Sequence, residues 1–196
     1  MPTVKAATTA RMQNSGQACI AAKRFIVTED VYEPFVEGLA QAFARFEPGD
    51  PADPATSLAP LSSERAAQDL HAQIQDAVDK GATVLAGGNR IGESGNFWQP
   101  TILSDVPTEA KVFNDEPFGP MAAIRSFNTL DEAIAEANRL SFGLAGYAFT
   151  KSLKNSDLIA RRLEVGMLWM NMPAMPSAEM PFGGIKDSGY GSEGGP

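Results

Sequence analysis

The chain is short of the residues on which most enzyme chemistry rests. Cysteine and histidine occur once each in 196 residues, at Cys19 and His71. One cysteine excludes an internal disulfide and a cysteine-built metal cluster, and one histidine removes most histidine-dependent catalysis. No metal site is expected. Positive charge is also scarce: 16 Lys and Arg against 24 Asp and Glu leave a formal charge of −8. Nucleic acid and anionic membrane surfaces repel such a protein, so neither is an expected partner. No apolar run approaches the roughly 18 residues of a membrane span. The opening Met1-Pro2-Thr3-Val4-Lys5 has no apolar stretch that would serve as a secretion signal. The expected location is the cytoplasm.

What is present fits a soluble globular domain. Hydrophobic residues make up 43% and charged residues 20%, enough for one core in a chain of this length. A helix is expected to end near Met12 or Gln13, followed by a strand at 24–27. An amphipathic helix then places Val31, Phe35, Val36, Leu39 and Phe43 on one side. After a Pro- and Gly-broken loop at 49–54, a helix over about 63–80 turns Leu70, Ile74, Ala77 and Val78 inward and leads to a strand at 83–86. Residues 97–103 read as extended, 121–127 as a strand, and Thr129 with Glu132 as a capping box opening a helix that ends near Leu140. Strands at 144–150 and 167–170 flank a helix over 152–163. From Met172 the chain is rich in Gly, Pro and Ser, expected to form a long ordered loop and a frayed end. This alternation predicts a single α/β domain over 1–196, with a largely parallel sheet flanked by helices.

Cys19 is the residue that calls for chemistry. A lone intracellular cysteine is most often an inert core residue. Here Gly16 permits a sharp turn between a helix and a strand, a place where a side chain can be shown to a cleft. Lys23 and Arg24 follow closely and are candidates to hold a thiolate. A cysteine protease needs a histidine base, and His71 lies between Leu70 and Ala72 on the polar part of a helix, where a solvated side chain is expected. Any nucleophilic role for Cys19 therefore requires activation other than a Cys–His pair.

Three segments carry a resemblance. Asn14-Ser15-Gly16-Gln17-Ala18-Cys19 followed by Arg24-Phe25-Ile26-Val27 resembles the active-site cysteine segment of the aldehyde dehydrogenase superfamily. Asp115-Glu116-Pro117-Phe118-Gly119-Pro120 is similar to its Glu-x-Phe-Gly-Pro element, and Pro181-Phe182-Gly183-Gly184-Ile185-Lys186-Asp187-Ser188-Gly189 to its Pro-Phe-Gly-Gly-x-Lys-x-Ser-Gly loop. All three stand in the family's order across nearly the whole chain. The resemblance implies that Cys19 attacks an aldehyde, with its own amide in the oxyanion hole. It implies that Glu116 accepts hydrogen bonds from the nicotinamide ribose of NAD or NADP and that Phe118 packs near the nicotinamide. Asn14 is expected to brace the loop, and 181–189 to border the active site and a subunit contact. Gly189-Tyr190-Gly191-Ser192-Glu193-Gly194 fits G-x-G-x-x-G by letter, but no helix follows to receive a pyrophosphate, so it is no nucleotide site.

The family's dinucleotide-binding domain, its general-base glutamate and its oxyanion-hole asparagine lie mainly before the cysteine segment, where this chain has 18 residues. The resemblance therefore implies a catalytic-domain fragment with little dehydrogenase activity and weak dinucleotide affinity alone, from an enzyme that is a homo-oligomer at full length. The wording around Cys19 is most similar to the succinate-semialdehyde branch. That branch carries an arginine six residues before the cysteine; Gln13 stands there instead, and Arg11 is turned to another side of the helix. A broad aldehyde range and a non-catalytic folded subunit are the alternatives.

Overall fold

The structure is a computed structural model that describes residues 2–93 and 95–195. Helix α1 (Pro2–Met12) leads through the cysteine segment into strand β1 (Arg24–Thr28), and α2 (Tyr32–Phe43) follows. Next come α3 (Glu64–Asp79), β2 (Thr83–Ala86), β3 (Thr101–Ser104), the short α4 (Lys111–Asn114) and β4 (Met121–Phe127). The last part holds α5 (Leu130–Asn138), β5 (Phe142–Gly143), β6 (Ala145–Ala148), α6 (Leu153–Arg162), β7 (Met167–Met170) and β8 (Ile185–Lys186).

The main sheet has the order β1-β4-β3-β2, parallel except for β2 against β3. Two faces of this sheet explain its sequence. Ala122 and Ile124 of β4 and Ile102 of β3 face a core made with Val4, Phe35, Val36, Leu39 and Phe43 of α1 and α2. Their neighbours Met121, Ala123 and Leu103 face a second core made with Leu70, Ile74 and Ala77 of α3 and with Phe113. A strand buried on both sides reads as an unbroken apolar run, as Met121–Ile124 does. Each fully buried Leu, Ile or Phe contributes about 1.5–3 kcal/mol. Together these layers form a single α/β domain.

The parallel pair β6 and β7 stands apart from the main sheet, with a third apolar cluster of Ile20, Met167 and Trp169 packed by Tyr147 and Phe182. The tail is tied back: β8 pairs with β5, Phe182 and Glu193 exchange backbone hydrogen bonds, and the Gly195 amide donates to Ala178. The expected frayed end is thus hydrogen-bonded as far as Gly195, and Pro196 lies outside the described residues. The capping box of Thr129 and Glu132 is formed as expected. Val31 is not: a turn of 3-10 helix (Glu29–Val31) precedes α2, so Val31 is exposed and Tyr32 takes the inward place. Val78 is likewise exposed, because the buried stripe of α3 runs through Ala67, Leu70, Ile74 and Ala77.

Candidate active site

Strands β1 and β4 are adjacent and parallel, with Arg24 beside Ala123. The segments that feed them therefore arrive at the same end of the sheet. One is the cysteine turn, the other the 115–120 loop. That topology, and nothing local, brings Cys19 and Glu116 into one neighbourhood.

The turn itself is strained. Asn14, Ser15 and Gly16 have φ of 50°, 52° and 77°, and an L-residue in this region costs about 1–2 kcal/mol. Polar contacts hold it. Ser15 Oγ accepts from the Ala59 amide at 2.9 Å. Asn14 Nδ2 donates to the Gln17 carbonyl at 3.2 Å. Gln17 donates through Nε2 to the Pro60 carbonyl at 3.2 Å and accepts from the Ser62 amide at 2.8 Å. Gly16 is required by space as well as by angle, since a Cβ there would lie 2.1 Å from the Gly119 carbonyl oxygen.

Arg11 joins the two loops from beneath. Its guanidinium is completely buried and donates to the carbonyls of Ala22 at 3.1 Å, Gly119 at 2.9 Å and Gly16. Burial pushes its pKa down to about 10 while Glu116 pulls the other way, so the cation persists at neutral pH. Fully buried arginine is rare; here Nη1 and Nη2 are engaged while Nε has no hydrogen-bond partner, and nothing local in the sequence marks the role.

Cys19 is exposed. Around it every backbone carbonyl from 18 to 21 has a donor. Lys23 Nζ donates to Ala18 at 3.2 Å, Cys19 at 2.8 Å and Ala21 at 3.0 Å. Tyr147 Oη donates to Ile20 at 2.6 Å. The same ammonium pairs with Glu116 Oε1 at 2.8 Å and lies 5.7 Å from the centre of the Phe118 ring. Burial lowers the Lys23 pKa from its ordinary value, opposed by Glu116. Tyr147 stacks on Trp169, with ring centres 5.4 Å apart, and burial with the nearby Cys19 pushes its hydroxyl up to about 12.

Glu116 is 48% exposed at the side chain and Phe118 is 42% exposed. Both line a hollow of about 380 Å³ with Ala66, Asp69, Leu70 and Gln73 of α3. A half-free carboxylate beside an open ring suits a sugar diol and a flat heterocycle, one oxygen of the acid being left to accept. Phe182, from the 181–189 loop, reaches the Ile20 cluster.

Arg24 differs from expectation. It turns away to pair with Glu136 at 3.0 Å and to cap carbonyls of α5, so of these two cations Lys23 alone serves the cysteine turn. His71 is exposed on α3, its ring 5.7 Å from that of Trp98, and makes no hydrogen bond to Cys19. Tyr147, Ser15 and Gln17 were not singled out by the sequence. For Tyr147 no local signal exists, since its partner Ile20 is 127 residues away in the chain. Among the described residues no group of three or more His, Cys, Asp or Glu side chains is placed to hold a metal ion, and no helix is long and apolar enough to cross a membrane.

The α/β domain thus sets an exposed thiol three residues after a left-handed turn, and the loop that carries Glu116 rims a hollow nearby. The model of the aldehyde dehydrogenase family matches residues 2–196. This chain belongs to that family. It is 53% identical over 191 residues to the succinate-semialdehyde dehydrogenase [NADP(+)] of Deinococcus radiodurans, covering 97% of this chain and 40% of that protein. Among solved structures, an NADP-dependent enzyme of E. coli superposes with a TM-score of 0.97 at 40% identity, covering 99% of this chain and 40% of that one. The succinic semialdehyde dehydrogenase of Streptococcus pyogenes, solved with NADP+, superposes with a TM-score of 0.94 at 39% identity, covering 99% and 43%. The chain thus spans about two-fifths of the length of the relatives it matches.

Proposed function

We propose that residues 1–196 form the catalytic, cysteine-bearing portion of an NADP-dependent aldehyde dehydrogenase acting on succinate semialdehyde, with Cys19 as nucleophile. The observation that carries this reading is the Lys23 ammonium, which contacts the Cys19 carbonyl and the Glu116 carboxylate at once and so makes one site of two motifs. NADP and the succinate-semialdehyde substrate come from what the relatives are called.

In this reading the Cys19 thiolate adds to the aldehyde carbon, the C–S bond forms and the carbonyl electron pair moves to oxygen. The Cys19 amide steadies that oxygen. Departure of the C–H hydrogen as hydride leaves a thioester on Cys19, and water cleaves it to the acid and the free thiol. A bound nicotinamide supplies the acceptor for the hydride. Glu116 would hold the ribose hydroxyls and Phe118 the apolar face beside them. No carboxylate or imidazole among the described residues hydrogen-bonds to Cys19, so none of them is placed on the thiol as a base for hydrolysis, and in this reading turnover by residues 1–196 alone is low.

A broader aldehyde range is the second reading, and one observation favours it. Gln13 is exposed where the succinate-semialdehyde branch has arginine, and Arg11 is spent on three carbonyls, so neither supplies a free cation for a substrate carboxylate. Alkylation by iodoacetamide at pH 7 tests the nucleophile: Cys19 reacts faster than N-acetylcysteine, and a slower reaction overturns the proposal.

A further inference from the structure

We infer that Lys23 and Tyr147 are positioning residues that turn the backbone of the Cys19 loop so that the amides of Cys19 and Ile20 stand together as unpaired donors for the oxyanion. The inference rests on the nucleophile reading above and adds to it the residues that set the hole. Its basis is an asymmetry in hydrogen bonding. All four carbonyls from Ala18 to Ala21 are engaged, three by one ammonium and one by one phenol. The amides of Ala18, Cys19 and Ile20 donate to no group among the described residues, whereas Gln17, Ala21 and Ala22 are all paired. The loop has every acceptor filled and three consecutive donors open, and because Cys19 is exposed these donors are left to solvent or to a ligand.

The geometry follows from the planar trans peptide, in which C=O and N–H point opposite ways. The Ala18 carbonyl shares a peptide unit with the Cys19 amide, and the Cys19 carbonyl with that of Ile20. Drawing both carbonyls onto Lys23 therefore turns both N–H groups to the far side of the loop, next to the sulfur-bearing carbon. Tyr147 holds the next unit, Ile20–Ala21, whose own amide is paired with the Ala18 carbonyl, and so fixes the backbone on the far side of Ile20. Its ring is held by stacking on Trp169. Glu116 anchors the ammonium, at 2.8 Å, so the acidic loop sets the angle of the peptide it faces.

Two reagents separate this role from a general effect on the thiol. Acylation by p-nitrophenyl acetate passes through a tetrahedral oxyanion: the Cys19 thiolate forms a C–S bond, then the C–O bond to the phenol breaks and p-nitrophenolate leaves. Alkylation by iodoacetamide forms a C–S bond and expels iodide with no oxyanion. The variants are Lys23→Met and Tyr147→Phe, the second removing a single oxygen and so keeping the test valid if the first fails to fold. Loss of an oxyanion donor slows acyl transfer by about 100-fold or more, and misorientation of two amides should slow acylation at least about tenfold relative to alkylation. Equal changes in both rates, or none in either, overturn the positioning role. If the parent protein acylates no faster than N-acetylcysteine, the nucleophile reading itself fails. Amide resonances of Cys19 and Ile20 that stay in place in both variants also overturn the inference.

Discussion

Gly16→Ala is the most exacting perturbation of the cysteine turn, because two independent penalties meet at one atom. The added methyl would lie 2.1 Å from the Gly119 carbonyl oxygen and 2.5 Å from the Arg11 guanidinium. The first neighbour is backbone at the entry to β4, and the second is a side chain fixed by three carbonyls, so neither yields cheaply. The φ of 77° adds the left-handed penalty, about 1–2 kcal/mol for an L-residue. Forcing a methyl into a packed site costs roughly 1–3 kcal/mol. Together the loss is about 3 kcal/mol, and in a domain of this size that lowers the melting midpoint by about 6–12 °C. Differential scanning calorimetry reads the midpoint, and the iodoacetamide rate reports whether the thiol has moved. A variant that melts within about 2 °C of the parent would refute the claim that the turn is pressed against the 115–120 loop.

Other expectations follow from the same contacts. Ser15→Ala removes a buried hydroxyl and leaves the half-buried Ala59 amide without its acceptor, which should cost about 1 kcal/mol by urea denaturation; no change would mean that water replaces the hydroxyl. Lys23 is faced by Glu116, Arg11 and Cys19, and burial sets its pKa below the ordinary value of 10.5, so its clamp is lost as pH rises, before that value is reached. The ratio of acylation to alkylation of Cys19 should fall over that alkaline range in the parent and stay flat in Lys23→Met. Tyr147 behaves in the same sense further up: the stability of its buried neutral hydroxyl is complete below about 10 and is lost as pH climbs through about 12. Phe142, Met175, Met180, Ile185 and Tyr190 are exposed, and apolar surface of that kind should give concentration-dependent self-association in light scattering.

Much of the fold was legible because its elements carry local signals. The apolar run of β4 and the capping box of α5 mark their elements before any contact is known. Helix boundaries were less secure, as Val31 shows: an apolar residue in phase with the stripe still falls outside when the first turn tightens into 3-10 geometry. Cys19, Glu116 and Phe118 stood out through motif wording, and the structure brings all three to the shared neighbourhood of Lys23. What joins them was not legible. In the sequence Arg11 offers only a charge turned to another side of its helix, and its burial depends on carbonyls up to 108 residues distant in the chain. Tyr147 sits in an unremarkable strand, and only the packing of β6 beside Ile20 gives it a task. Backbone carbonyls carry no residue identity, so a site built by clamping them leaves little trace in sequence.

Covalent chemistry at one sulfur underlies the proposed function. Succinate semialdehyde labelled with carbon-13 at its aldehyde carbon, added to the protein and to Cys19→Ser, tests this by NMR. The parent should show a protein-bound resonance of a carbon bonded to both sulfur and oxygen, absent from the serine variant. Spectra of the parent showing only free aldehyde and its hydrate, while the thiol remains titratable, would contradict it.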